Sequence, residues 1–170
     1  MILPIVKYGD PVLTTAAEEI GEVDDEIRRL ADDMVETMYA EPGIGLSANQ
    51  VGVLKRVAVV DLSQGENPDE LRVLINPEIV EVEGGVTEEE GCLSFPGIAL
   101  KIERPEKVVV RTLDLEGEER TIEGRGILAR ALAHEIDHLN GVVFIDYLTG
   151  LAKQMVLTEI KRLKRNGEWD

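Results

Sequence analysis

The stretch His134-Glu135-Ile136-Asp137-His138 holds both histidines of the chain, four residues apart. On an α-helix, positions i and i+4 lie on one face, about one turn apart. Two imidazoles so placed can grip one metal ion, and the glutamate beside the first can serve a water molecule as general base. Upstream, Gly126-Ile127-Leu128-Ala129-Arg130-Ala131-Leu132-Ala133 is rich in helix formers and free of proline, so a helix is predicted to carry the motif. Ile127, Ala131, His134 and His138 recur at helical spacing, which points the histidines the way the apolar residues point. Gly141 is placed to end the helix. Such a five-residue pattern also arises by chance, with two histidines satisfied inside a core. The helical context, the use of the whole histidine supply and the glutamate in its slot favour a metal. A catalytic zinc-type site takes three protein ligands and keeps a position for water, so a third ligand is to be sought elsewhere.

The whole chain sets the frame for that search. A length of 170 residues is most simply one domain, 1–170, large enough to bury a core. The composition, 44% hydrophobic and 31% charged, is that of a soluble globular protein. A net charge of -16 argues against a binder of free nucleic acid. The first ten residues lack the basic start and continuous apolar core of a signal peptide, and no apolar run is long enough to span a membrane. A single cysteine makes no internal disulfide, so a cytoplasmic location is expected.

In chain order, residues 1–23 read as an extended arm with a turn or short helix near Asp10-Pro11. Asp24 to about Ala40 is a helix: Ile27, Leu30, Ala31, Met34, Val35 and Met38 form an apolar stripe behind an Asp24 N-cap. Gly43-Ile44-Gly45 breaks it and lets backbone approach a ligand closely. Arg56–Asp61, Leu71–Ile75, Ile79–Glu83, Ile98–Ile102, Lys107–Leu113 and Arg120–Glu123 read as strands joined by turns. Glu88-Glu89-Glu90 reads as a solvated acidic edge. A short strand is expected at Val142-Val143-Phe144, then a last helix over about Gly150–Arg165, with Leu151, Met155, Leu157, Ile160 and Leu163 as packing positions. The fold class predicted is α+β: mainly antiparallel sheets around a central metal-binding helix, with N-terminal and C-terminal helices. Cys92 sits in Glu90-Gly91-Cys92-Leu93-Ser94. A lone cysteine is usually a small buried hydrophobe, but a thiolate also suits a transition metal that lacks a ligand.

Three stretches together resemble one family. Gly43-Ile44-Gly45-Leu46-Ser47-Ala48-Asn49-Gln50 is similar to the G-x-G-L-A-A-x-Q motif of peptide deformylases, with Ser47 where alanine is usual. Glu90 to Ser94 matches their E-G-C-L-S, and His134 to His138, with Leu139 and Gly141, matches H-E-x-D-H-L-x-G. The resemblance implies that Cys92, His134 and His138 bind the metal and that Glu135 is general base and acid. It implies that Gln50 and the backbone N–H of Leu93 hold the oxyanion, and that Glu90 pairs with an arginine, Arg104 being the candidate. It implies removal of the formyl group from N-formylmethionine of nascent peptides, with release of formate. It points to one divalent ion, Fe2+ in the cell, with Zn2+, Ni2+ or Co2+ as substitutes.

Elementary chemistry agrees with these expectations. A bound divalent metal lowers the pKa of water from about 15.7 towards about 7. Donors aimed at a developing oxyanion contribute roughly 3–4 kcal/mol each. A methionine side chain needs an apolar pocket, for which Ile44, Ile127, Ala131 and the stem of Arg130 are candidates, with Gly45 and Gly91 as further substrate contacts. A thermolysin-type zinc peptidase would instead use Glu159 as third ligand, but leaves Cys92 and Gln50 without roles. A non-catalytic, metal-stabilised binding module would call for a fourth protein ligand. Lys153, Lys161, Arg162, Lys164 and Arg165 make the last helix basic. Such cations favour the helix dipole, and the resemblance implies that this helix docks on the ribosome.

Overall fold

A computed structural model describes residues 1–169. Helix α1 (Asp25–Ala40) begins where its sequence says: the Asp24 carboxylate accepts from the Ile27 N–H at 3.0 Å, and Asp25 and Glu26 stand in the first turn. Ile27, Ala31, Met34 and Met38 are buried, with Leu30 and Val35 half-buried beside them. They form one core with Leu46, Val57, Val59 and Ile75.

Five strands make the main sheet, in the order β1 (Gly45–Ser47), β2 (Val57–Val60), β3 (Arg72–Glu83), β6 (Lys107–Leu113) and β7 (Glu119–Arg125). Every neighbouring pair is antiparallel. β4 (Val86–Gly91) and β5 (Ala99–Arg104) form a separate antiparallel ribbon. Helix α2 (Ile127–Leu139) packs across the sheet through Ala129, Leu132, Ile136 and Leu139, against Ala58, Val60, Leu74, Val108 and Val110. It seats so closely that a Cβ on Gly124 of β7 would lie 2.8 Å from Leu132 Cδ1. Helix α3 (Gly150–Arg165) covers a third core of Phe95, Phe144, Ile145, Ile160, Leu163 and Trp169. The α+β class and the antiparallel pairing are as expected.

Several local expectations are corrected. The two strands expected around Asn76-Pro77 are one strand, β3. Asn76 adopts φ 50 at an irregularity between Ile75 and Glu78, and its side-chain amide exchanges two 2.8 Å hydrogen bonds with the Ile20 backbone. The strand expected at Val142–Phe144 is replaced by a 3-10 helix, Phe144–Tyr147, because the apolar run fills a core and pairs with no strand. Glu88 to Glu90 lies in β4: Glu88 and Glu89 are exposed, as an acidic edge would be, but Glu90 is buried, held by Arg104 and Arg130. In α3, Leu151 (77% exposed) and Met155 (63% exposed) do not pack; Ile160 and Leu163 do. Ile127 is 66% exposed, so the apolar face of α2 is the Leu132–Ile136 side and Ile127 stands apart from it.

Candidate metal centre

Three elements converge on one point. α2 supplies His134 and His138, one turn apart and both buried. The turn after β4 supplies Cys92, and the 3-10 helix Ala48–Val51 supplies Gln50. One ligand atom from each of Cys92, His134 and His138 lies within 4.8 Å of the others. The two Nε2 atoms stand 3.1 Å apart, and Cys92 Sγ stands 3.4 Å from His138 Nε2. The Nδ1 side of His134 faces Glu90 Oε2 at 2.6 Å, which orients its Nε2 towards the centre. Two imidazole nitrogens and a sulfur converging this tightly suit a soft or borderline divalent cation.

The electrostatics fit the same group. Burial disfavours charge on His134, yet Glu135, Cys92 and Glu90 overcome it and raise its pKa well above the ordinary value. Burial, joined by His134 and Arg104, pushes His138 well below the ordinary value. The pocket thus welcomes one positive charge and keeps the second ring a neutral lone-pair donor. Burial also raises the Glu135 carboxyl to about 7, against the opposing pull of His134. Glu135 Oε1 is buried without a hydrogen-bond partner, as is His138 Nδ1.

A second layer holds these groups. Arg104, buried, grips both oxygens of Glu90 at 3.1 and 2.8 Å and reaches Asp137 Oδ2 at 2.6 Å. The Tyr147 hydroxyl donates to the same Asp137 oxygen at 2.6 Å, and burial with that carboxylate lifts its pKa to about 12. Arg130 donates to Glu90 Oε1 at 3.1 Å and to the Ile102 and Val86 carbonyls at 2.9 and 2.7 Å. Burial works against the Glu90 charge, but His134 and Arg104 hold its carboxyl well below the usual range. The two arginines and the two carboxylates balance, as buried charge requires.

Ile44, Gly45, Gln50, Gly91, Cys92, Leu93, Ile127, Arg130, Ala131, His134 and Glu135 all line one cleft of about 1220 Å³; His138 lies fully buried beneath it. Gly45 faces Glu135, so its close approach is to the protein's own carboxylate. The Arg130 guanidinium is committed to β4 and β5, leaving its stem to the cleft. Glu159 is no part of the cluster: it sits on the outside of α3 and pairs with Arg162 at 2.6 Å. Sequence reasoning missed Asp137, Tyr147 and Ser94. Asp137 sits inside the quoted motif, and its position three residues after His134 was the available signal.

The comparisons with known proteins follow the same line. The family model described as polypeptide deformylase matches residues 2–154. A peptide deformylase of Acidobacterium capsulatum is 54% identical over 99% of both chains. One of Thermodesulfovibrio yellowstonii is 50% identical over 96% of this chain and 99% of that one. The crystal structure of a peptide deformylase from Legionella pneumophila superposes with a TM-score of 0.92 at 39% identity, covering 100% of this chain and 99% of that one.

Proposed function

The chain belongs to the polypeptide deformylase family of enzymes, and from that premise we propose that it hydrolyses the formyl group from N-formylmethionine at the start of nascent polypeptides. The products are formate and a free N-terminus. The observation that carries the proposal is the convergence of the Cys92, His134 and His138 ligand atoms in the cleft where the buried Glu135 Oε1 lacks a partner.

Cys92, His134 and His138 would hold one divalent ion, ferrous iron with zinc, nickel or cobalt as substitutes, which would supply Lewis acidity and lower the pKa of water from about 15.7 towards about 7. Glu135 takes the proton of the attacking water and returns it to the leaving nitrogen. Gln50 Nε2 and the Leu93 N–H donate to the formyl oxygen as it gains charge. The Leu93 N–H stands outside the bond from Phe95 N–H to the Cys92 carbonyl that closes its turn. Ile44 and Ile127 are exposed apolar residues inside a cleft, and with Ala131 and the Arg130 stem they take the methionine side chain. Gly91 leaves room for the peptide backbone, and Gly45 serves the substrate side indirectly, by leaving room for the Glu135 carboxylate.

Paired peptides test the reaction. Formyl-Met-Ala-Ser is expected to yield formate and a free amine, and acetyl-Met-Ala-Ser to react far more slowly. Cleavage of internal peptide bonds instead would favour a peptidase. A Glu135→Gln protein that keeps its metal but loses turnover separates catalysis from a metal-stabilised binding module. The iron-loaded enzyme is expected to lose activity in air while the nickel form keeps it, since thiolate and ferrous iron oxidise. Equal stability would count against iron.

The basic end of α3 supports a second element of the proposal, docking on the ribosome in the cytoplasm. Lys161, Arg162, Lys164 and Arg165 are exposed there, and among the described residues no helix is long and apolar enough to cross a membrane. Charge reversal at these four should abolish co-sedimentation with ribosomes; undiminished binding would remove this element.

A further inference from the structure

We infer that Ser47 is a positioning residue: its hydroxyl adds a second bond to the Gln50 amide oxygen that its backbone N–H already orients, and so steadies the aim of one of the two oxyanion donors, an inference that rests on the hydrolytic function proposed above. Ser47 stands where the family motif usually carries alanine, and a small residue there needs no hydroxyl for size. The hydroxyl is fully buried at the end of β1, so water cannot satisfy it. It donates to Gln50 Oε1 at 3.0 Å, and the Ser47 backbone N–H donates to the same oxygen at 3.0 Å. A backbone N–H can only donate, so the acceptor end of the amide must face Ser47. The other end, Nε2, is thereby turned towards Cys92 Sγ at 3.6 Å and Ser94 Oγ at 3.2 Å.

The surrounding backbone is already held. Val6 N–H donates to the Gln50 carbonyl at 2.7 Å, and Tyr8 N–H donates to the Ser94 carbonyl at 2.9 Å, so one N-terminal arm clamps both segments. The freedom left to Gln50 is rotation of its side chain, and that is what Oε1 resists. With alanine at 47 one bond to Oε1 remains. With serine a second bond to Oε1 is made, and a flipped amide would set its NH2 against the Ser47 N–H and its oxygen against the sulfur. Ser47 touches no reacting atom; it acts through Gln50.

The test is a double-substitution cycle read in kinetics, with an independent readout of the amide. Ser47→Ala is expected to lower kcat about five- to tenfold, the effect of one neutral hydrogen bond, with KM nearly unchanged. In a Gln50→Ala background the same change is expected to cost nothing further, because the group it positions is gone. In protein supplied with diamagnetic zinc, the Gln50 side-chain NH2 signals, assigned by their loss in Gln50→Ala, should exchange with solvent several-fold faster in Ser47→Ala. Equal kcat losses in both backgrounds, or unchanged amide exchange in an enzyme that releases formate, would overturn the positioning role. A wild-type protein that releases no formate would overturn the hydrolytic function itself.

Discussion

Gly45 decides where the Glu135 carboxylate stands. A Cβ at position 45 would lie 2.5 Å from Glu135 Oε2, closer than real Cβ atoms come, and a tight 3.0 Å from its Cδ. Gly45→Ala is therefore expected to displace the Glu135 carboxylate and, if Glu135 is the base proposed above, to lower kcat about 100-fold, the order of loss a misplacement near 1 Å brings, while metal content stays unchanged. Steady-state kinetics with metal analysis on the same preparation checks it; an unaltered kcat would mean that the carboxylate has room to spare. Glu90 is the counterpart beneath the site. It accepts from Arg104 and Arg130 and faces His134, so Glu90→Ala leaves buried Arg104 with Asp137 as its remaining ion-pair partner. Chemical denaturation should show a stability loss of about 3–5 kcal/mol, as for one partner removed from a buried pair. Glu159→Ala, on the surface, should leave metal content and turnover alone.

At the scale of elements, the periodic segments were legible and the short ones were not. The stripe from Ile27 to Met38 and the Asp24 cap specified α1, because a helix that buries one face writes its period into the sequence. The Cys92–His134–His138 grouping was legible as well, through motif chemistry. β1 escaped notice because it is three residues long and takes its order from β2; β4 escaped because three consecutive glutamates do not look like a strand. Which glutamate turned inward was a matter of register that Arg104 and Arg130 settle from other elements. Asp61, just after β2, is a similar case. It accepts from the Tyr39 hydroxyl of α1 at 2.5 Å, from the Ser63 N–H and hydroxyl at 2.8 and 2.7 Å, and from the Gly65 N–H at 3.1 Å. Burial alone would raise the Asp61 pKa, but these donors outweigh it and hold the carboxyl below its ordinary value. Burial and the same carboxylate lift Tyr39 to about 12. A depressed carboxyl contributes stability that is present above its unfolded pKa and lost as pH falls through the folded one. Asp61→Asn should accordingly be less stable than wild type near neutrality, and the gap should close as pH drops below about 4. A gap independent of pH would show that charge on Asp61 plays no part in joining α1 to β2.

For the molecule as a whole, the N-terminal arm at Tyr8 and Trp169 after α3 are tied together beside the site. Trp169 donates through its indole N–H to the Tyr8 carbonyl at 3.1 Å and packs edge-on against Phe95, on which Tyr8 stacks at 4.7 Å. Tyr8 in turn holds Ser94, two residues from Cys92. Trp169→Ala is expected to cost about 3 kcal/mol or more, as for a large aromatic removed from a core, and to lower turnover as well. Residues 1–170, taken as one folding unit, should unfold in a single calorimetric transition; two resolved transitions would divide the chain. The central claim is that Cys92, His134, His138 and Glu135 together hydrolyse a formyl group. The most direct measurement is formate release from a formylmethionyl peptide by anaerobically purified protein, with metal content determined on the same sample. The expected result is release that stops on chelation, returns with iron or nickel, and is absent from Cys92→Ala and Glu135→Gln. A full complement of metal without formate release would contradict it.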